Sequence, residues 1–261
     1  MTATVAPDYI PCVYTDWSVE EQELEMARVH DATAVEREWI QEAGLKPFMS
    51  DQEIIDQAAD LALRRVGVGV GYVPIQRLRD WSLDRSNPSH QYHYSPPVLR
   101  QDAMQMLGLI SHNWSKRFGA AFALPVTSTA RSYPYQVNIS SQEGKVAIDP
   151  DEGLSSHLFA LSFDIDAFGL YKRNGAEVYA PTNPFINPAD AEIIRASRDH
   201  LREILETRSG TDINFVEENE GTRQHVFHVC TRPVDSLTRL VIENAKANRD
   251  RNTLPVPAIR S

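Results

Sequence analysis

Cysteine and long apolar runs are both scarce in this sequence. Its two cysteines, Cys12 and Cys230, allow at most one disulfide, which excludes a disulfide-framed secreted domain and a zinc finger built on cysteine ligands. No run approaches the roughly 20 consecutive apolar residues that a membrane-spanning helix needs. The N-terminal segment also lacks the basic and apolar regions of a signal peptide, so we expect a cytoplasmic protein with no membrane association.

Basic residues are outnumbered by acidic ones. The chain has 26 Lys and Arg against 36 Asp and Glu, for a formal net charge of −10. Such a chain lacks the basic surface with which proteins bind nucleic acid, and anionic membranes would repel it, so we expect neither as a partner. The remaining composition, 42% hydrophobic and 24% charged over 261 residues, is typical of a globular protein with a sizeable core.

The first 70 residues are predicted to form an N-terminal arm and a helical extension. Ser18 and Glu21 match a capping box, in which each side chain binds a backbone N–H of the first helical turn. This box predicts a charged helix over residues 18–43. A second box, Ser50 with Glu53, predicts a helix that ends at Gly67. Such an extension can serve as a lid or as a dimerisation arm.

Residues 71–250 alternate between helical and strand-like patterns, before a tail at 251–261. Predicted helices lie at 97–118, 187–207 and 235–247, and predicted strands lie at 122–128, 160–165, 212–218 and 223–231. The last two strands flank an Asn-Glu-Gly-Thr turn, which is typical of a hairpin. A few long helices and a handful of strands predict an α+β fold for this main domain.

Asp164 lies in a segment whose alternation makes it a candidate ligand. Small or polar residues (Ala160, Ser162, Asp164) alternate with large apolar ones over residues 160–165. In a strand, this places Asp164 on a face of small side chains, with room in front of it for a metal ion or a substrate. His157 comes seven residues earlier, an odd spacing, so it can reach Asp164 only from the loop before the strand.

A second group of candidates lies on the predicted hairpin. His225 and His228 are three residues apart, so in one strand they face opposite sides. Glu218 shares a side with His228 if the hairpin loop has an odd number of residues, and Glu217 does so if that number is even. Two histidines and an aspartate leave zinc an open position for water, and a nearby glutamate can take the proton of that water. These residue types therefore favour a zinc hydrolase site.

The order of these motifs resembles that of the LAS-type zinc metallopeptidases, which include D-Ala-D-Ala carboxypeptidases, D,D-dipeptidases and murein endopeptidases. The family pattern is a strand ending in Thr-Ser-x-x-Arg with a glutamine a few residues on, then Ser-x-His-x-x-Gly-x-Ala-x-Asp, then a glutamate and a histidine on a hairpin. The matching segments lie at 127–136, 155–164 and 218–228, and the resemblance covers about residues 97–232. It implies the fold shared with the Hedgehog signalling domain, a small antiparallel sheet flanked by helices.

The resemblance implies a zinc site in this chain. The positions that match the family's zinc ligands are His157, Asp164 and His228. His225 is the second choice for the last ligand. Ala160 and Ser162 stand where the family usually has glycine and alanine, and because both residues are small the site keeps its room.

The resemblance also implies roles for residues around the zinc site. Glu218 would be the general base, with Glu217 and Glu220 as competitors on the same hairpin. Arg131 would bind the substrate carbonyl or the developing oxyanion, a task suited to a fixed cationic donor. The matched positions that would support substrate and ligands through hydrogen bonds are Gln136 and Ser155.

We therefore expect a zinc-dependent hydrolase of the metallopeptidase class. Its expected substrate is a short peptide, with D-amino-acid-containing or peptidoglycan-derived peptides as candidates, and its expected mechanism is glutamate-assisted attack of zinc-bound water. Two alternatives stay open. One is a non-catalytic binding domain that keeps zinc for stability, and the other is a zinc amide hydrolase or transferase that acts on a non-peptide metabolite.

Overall fold

The computed structural model describes residues 16–59, 63–74, 97–140, 153–174, 178–182, 188–222 and 224–234. Its helices are α1 (Val19–Ala32), α2 (Ala34–Glu42), α3 (Asp51–Ala59), α4 (Gln101–Phe118), α5 (Tyr133–Ser140) and α6 (Ala191–Glu206). Its strands are β1 (Leu63–Arg65), β2 (Tyr72–Pro74), β3 (Val98–Arg100), β4 (Phe122–Ser128), β5 (Ser162–Asp166), β6 (Leu170–Asn174), β7 (Val178–Thr182), β8 (Ile213–Glu218) and β9 (Val226–Thr231). Short 3₁₀ helices lie at Ser156–Phe159 and Pro188–Asp190. This mixture of helices and small sheets confirms the predicted α+β class.

The first predicted helix is present as two helices. Its capping box forms as expected, with the Glu21 N–H donating to Ser18 Oγ at 3.2 Å and the Ser18 N–H donating to the Glu21 carboxylate at 2.7 Å. The prediction of one helix over 18–43 is wrong, because the chain breaks at Thr33 between α1 and α2. The Thr33 hydroxyl donates to the Val29 carbonyl at 2.9 Å, a side-chain bond back to the preceding turn that bends helices.

Two other predicted helices are shorter than expected. The helix predicted to end at Gly67 ends at Ala59, and the helix predicted to begin at residue 97 begins at Gln101. Strands β1 and β3 lie where the missing helical turns were predicted, and they pair with each other antiparallel. Their partners are distant in the chain, so the local pattern does not reveal the pairing. Helix α5 lies between the predicted strands at 122–128 and 160–165, where no helix was predicted.

The larger sheet has the strand order β7-β6-β4-β5-β9-β8, with β2 paired parallel to β4. Neighbours along this order are antiparallel, and β8 with β9 forms the predicted hairpin. Strand β5 pairs with β4 on one side and with β9 on the other. This register places Ser128, Asp164 and His228 side by side on three neighbouring strands.

The main core lies between this sheet and the helices α4 and α6. Trp114 of α4 is fully buried, and its ring stacks on Phe118 with 4.7 Å between the ring centroids. Its indole N–H donates to the Ser197 hydroxyl of α6 at 3.1 Å, so the polar atom of this large side chain is satisfied inside the core. Buried apolar residues of both helices pack in one cluster with the sheet.

The two faces of the central strands have different surroundings. Phe163 of β5 and Phe227 of β9 belong to the main core cluster. Successive side chains of a strand point to opposite faces, so Asp164 and His228 face away from that core. The apolar face therefore anchors the strands, and the other face carries the candidate ligands.

The helical extension packs on the ligand-bearing side of the sheet. Trp39 of α2 lies in one buried cluster with Leu158 of the first 3₁₀ helix and Cys230 of β9. Asn214 of β8 donates from Nδ2 to the Ala32 carbonyl at the end of α1, at 2.9 Å. The division of the chain into domains at residue 70 stays a prediction, and residues on both sides of that division share this cluster.

Several predictions fall outside the described residues. These are the helix at 235–247, the tail at 251–261 and most of the arm at 1–17. Of the helices that the structure describes, none combines the length and the apolar composition needed to cross a membrane.

A candidate metal centre

Three buried side chains converge on the face of the sheet that points away from the main core. His157 Nε2 lies 3.0 Å from Asp164 Oδ1, and His228 Nδ1 lies 2.9 Å from the same oxygen. The three candidate ligand atoms all lie within 4.8 Å of one another. The structure thus brings together the three predicted ligands, and within the described part of the chain they are the group placed to hold a metal ion.

Sheet register and one unusual turn place these residues. Asp164 and His228 are direct cross-strand partners on β5 and β9. His157 lies in the 3₁₀ helix before β5, and Ala160 ends that helix in the left-handed region with φ of 55°. Residues other than glycine rarely adopt this conformation, so the turn at Ala160 is unusual. His157 reaches Asp164 from outside the strand, as the odd spacing requires.

Each histidine has an acceptor behind it that selects which ring nitrogen faces the cluster. His157 Nδ1 lies 2.7 Å from the Thr129 carbonyl oxygen, so it carries the proton and Nε2 faces Asp164. His228 Nε2 lies 3.2 Å from a carboxylate oxygen of Glu36, so Nδ1 faces Asp164. Hydrogen bonds of this kind behind the ring are typical of metal-binding histidines.

This donor set fits zinc. Two imidazole nitrogens and one carboxylate oxygen are ligands that Zn²⁺ binds in catalytic sites, and three protein ligands leave a position for water or substrate. The structure therefore contains a buried His-Asp-His cluster that is able to hold a metal ion.

The electrostatics of the cluster also suit a cation. Burial, reinforced by the nearby Arg131 guanidinium, lowers the pKa of His157 to about 4, so this ring is neutral at pH 7. Burial raises the pKa of Asp164, but His157, His228 and Arg131 together hold it well below its ordinary value. Burial lowers the pKa of His228, but the Glu36 and Asp164 carboxylates raise it well above its ordinary value. A cation at His228 Nδ1 would therefore take the place of a proton.

Arg131 lies beside the cluster and is fixed by three contacts. Its Nη2 donates to Asp164 Oδ2 at 3.0 Å, its Nε donates to the Ser128 hydroxyl at 3.0 Å, and its Nη1 donates to Gln136 Oε1 at 3.2 Å. Gln136, predicted to support the site, is thus in contact with Arg131. Ser155 lines the cavity, and its neighbour Ser156 lies 3.2 Å from His228 Nε2 through its hydroxyl.

Glu218, the predicted general base, lines the same cavity as the candidate ligands. Glu218 pairs with Val226, and the loop between them, 219–225, has an odd number of residues. Glu218 therefore faces the same side of the sheet as His228. Its Oε1 lies 4.0 Å from His228 Nδ1. Burial raises the pKa of Glu218 to about 7, with Asp164 adding to the effect and His228 opposing it. A base is most effective when its pKa lies near the working pH.

The alternative candidates on the hairpin lie elsewhere. His225 Nε2 lies 3.0 Å from Glu217 Oε2, and this pair occupies the opposite side of β8 and β9 from His228. Glu217 also accepts two hydrogen bonds from Arg202 of α6. The Glu220 side chain is 67% exposed and contacts Arg202 at 3.6 Å. Neither His225 nor these two glutamates contacts the candidate ligands.

A cavity of about 300 Å³ opens over the cluster. Its lining includes the three candidate ligands, Arg131 and Glu218. The lining also includes Val29 and Thr33 of the helical extension and Tyr135 and Ile139 of α5. The volume lies at the small end of the range for ligand sites in proteins. It fits a small molecule or a short segment of peptide.

Glu36 is the functional candidate that the sequence analysis missed. It is 2% exposed although it lies in a helix rich in charged residues. In the single helix predicted over 18–43, Val29, Thr33, Glu36 and Ile40 follow the three- and four-residue repeat of one face, and the structure buries all four. The sequence therefore offered one signal for Glu36, its place on the predicted buried face of a helix.

The comparisons with known proteins leave this site to be interpreted on its own geometry. No protein family, curated protein or solved structure gave a significant match to the chain.

Proposed function

We propose that this protein is a zinc-dependent hydrolase that cleaves an amide bond in a short peptide. The observation that carries the proposal is the convergence of His157, Asp164 and His228 in one cavity with Glu218, whose carboxylate lies 4.0 Å from His228 Nδ1. Three ligands and a neighbouring base are the minimum that this chemistry requires.

The sequence resemblance to LAS-type metallopeptidases is a second line of support for this function. The three segments that resemble LAS-type metallopeptidases meet at this cavity, although they are separated in the chain. Ala160 stands where that family has glycine, and its φ of 55° lies in the region that glycine adopts without strain. The backbone at this position therefore has the conformation that explains a glycine in the family pattern. A LAS/Hedgehog-type fold is part of the proposal.

The residues of the chain divide the work of amide hydrolysis. Zinc bound by His157, Asp164 and His228 would supply Lewis acidity, which polarises a carbonyl and lowers the pKa of water. Glu218 would accept a proton from the attacking water and pass it to the leaving amine. Arg131 would donate to the oxygen on which negative charge develops, because its guanidinium is fixed beside the cluster by Ser128 and Gln136.

The cavity limits the size of the substrate. About 300 Å³ fits roughly a dipeptide unit rather than a folded protein segment. Val29 and Thr33 of the extension line this cavity together with Glu218, so the extension forms part of the surface that a bound substrate would contact. D-amino-acid-containing dipeptides and peptidoglycan-derived peptides are the first substrates to test.

The test is a hydrolysis screen with the zinc-loaded protein. Purified protein is incubated with D,D- and L,D-dipeptides and murein fragments, and the products are identified by mass spectrometry. The proposal expects amine release from at least one class, its loss after zinc is removed with a chelator, and its return on addition of zinc. Zinc-loaded protein that hydrolyses none of these peptides would contradict the proposal and favour the two alternatives, a zinc-stabilised binding domain or an enzyme that acts on a non-peptide metabolite.

A further inference from the structure

Glu36 is a buried carboxylate whose contacts lead to the candidate metal centre. Its Oε2 accepts a hydrogen bond from the Ser156 hydroxyl at 2.6 Å and lies 3.2 Å from His228 Nε2. Its Oε1 accepts from Asn214 Nδ2 at 2.7 Å. Burying a carboxylate is costly unless its oxygens are paired, and both oxygens of Glu36 have partners here. The residue is therefore held in a defined position behind His228.

That position decides which nitrogen of His228 is available to a metal. A neutral imidazole carries one N–H, and the opposite nitrogen offers the lone pair. When a metal ion replaces the second proton of His228, a proton kept on Nε2 by the Glu36 carboxylate leaves the lone pair on Nδ1, the nitrogen 2.9 Å from Asp164 Oδ1. The opposite tautomer would place a proton between His228 and the position of the ion.

The two histidines of the cluster differ in how they are held. The acceptor behind His157 is the Thr129 carbonyl, a backbone group in the segment that precedes Arg131. Two groups lie 3.2 Å from His228 Nε2, the Ser156 hydroxyl and the carboxylate of Glu36, which comes from α2, 192 positions away in the sequence. The hydrogen-bond acceptor of His157 thus comes from the main domain, whereas the carboxylate beside His228 comes from the helical extension.

We propose that Glu36 is a positioning residue of the metal centre, which fixes the tautomer and ring orientation of His228 and makes the helical extension part of the site. This inference rests on the proposed function, since it assigns Glu36 a role toward the ion which that function requires. It adds a residue outside the segment that resembles known metallopeptidases. It also gives the extension a role beyond covering the sheet.

Zinc affinity tests the role of Glu36 directly. Zinc binding to wild type and to Glu36→Gln is measured by competition with a chromophoric chelator, beside Glu38→Gln as a control on the exposed side of the same helix. We expect Glu36→Gln to bind zinc about 10- to 100-fold more weakly, the usual effect of losing such a partner. The control is expected to stay within about twofold of wild type, because exposed charges contribute little. Wild-type affinity in Glu36→Gln would overturn the inference.

A second measurement covers the case in which Glu36→Gln does not fold. In the zinc-loaded wild type, two-bond ¹H–¹⁵N correlation spectra report which nitrogen of His228 carries the proton. We expect a proton on Nε2, and zinc bound through Nε2 would contradict the role of Glu36. The two proposals can fail separately. A wild type that binds no zinc removes the proposed function, whereas zinc binding that is insensitive to Glu36 removes only this inference.

Discussion

Glu217 and Glu218 are neighbours on β8 that face opposite sides of the sheet, so they form a matched pair for mutagenesis. Glu218→Gln keeps the shape of the side chain and removes its ability to take a proton. Loss of a general base lowers turnover by about 10²- to 10⁴-fold. At about 1.36 kcal/mol per tenfold, this corresponds to about 2.7–5.4 kcal/mol of transition-state stabilisation. Zinc content should be unchanged, because Glu218 is not one of the three ligands.

Glu217→Gln should instead lower the stability of the protein and leave turnover unchanged. Glu217 accepts hydrogen bonds from Arg202 at 2.5 and 2.6 Å, and His225 Nε2 lies 3.0 Å from its carboxylate. Hydrogen bonds to charged groups contribute about 1.5–3 kcal/mol when buried. Arg202 is 29% exposed, so solvent screening reduces the expected loss to about 1–2 kcal/mol. At about 2–4 °C per kcal/mol, the Tm should fall by about 2–8 °C while turnover is retained.

Three assays on the same preparations separate the two outcomes. Zinc content, thermal unfolding and hydrolysis of the substrate found in the screen are measured for wild type, Glu217→Gln and Glu218→Gln. An active Glu218→Gln beside an inactive, zinc-loaded Glu217→Gln would show that Glu217 is the base. It would refute the assignment of Glu218 to the side of the sheet that carries His228. Loss of zinc in Glu218→Gln would show that this residue binds the metal and is not the base.

Three further predictions follow from contacts in and around the site. Arg131→Ala should lower kcat by about 10²- to 10³-fold, as the loss of an oxyanion donor does, and steady-state kinetics that show only a raised KM would contradict this role. Trp114→Ala should lower the free energy of unfolding by about 3–5 kcal/mol in a denaturant titration, because it empties the core between α4 and α6. Burial raises the pKa of Glu217, but hydrogen bonds from His225 and Arg202 lower it to about 2. A carboxyl with a lowered pKa contributes stability above its unfolded pKa of about 4.3 and loses it as the pH falls toward 2. The difference in unfolding free energy between wild type and Glu217→Gln should therefore shrink from about pH 4.5 to pH 2, and a difference that is constant over this range would refute the ion pair.

The features that local pattern predicted are those that depend on strand alternation. The small-residue face of β5 identified Asp164, and the odd spacing of His157 required it to come from outside the strand, where the 3₁₀ helix places it. The hairpin was predictable from its turn residues. Which of Glu217 and Glu218 shares a side with His228 was not, because this depends on the number of loop residues and so on where strand pairing stops. The structure pairs Glu218 with Val226 and so settles that question.

The features that the sequence did not predict depend on contacts between distant segments. Strands β1 and β3 exist because they pair with each other, and each had been predicted as part of a helix. Glu36 reaches His228 across 192 positions, through the docking of α2 on the sheet. A helical repeat marks which face of α2 is buried, but it does not identify what that face covers.

The most direct test of the central claim is the metal content of the purified protein. Elemental mass spectrometry is applied to wild type, His157→Ala and His228→Ala after reconstitution with zinc and removal of the excess. The site described here predicts about one zinc per wild-type chain and loss of that zinc in both variants, since each removes one of three ligands. Full zinc occupancy in both variants, or a wild type that binds no zinc, would contradict it.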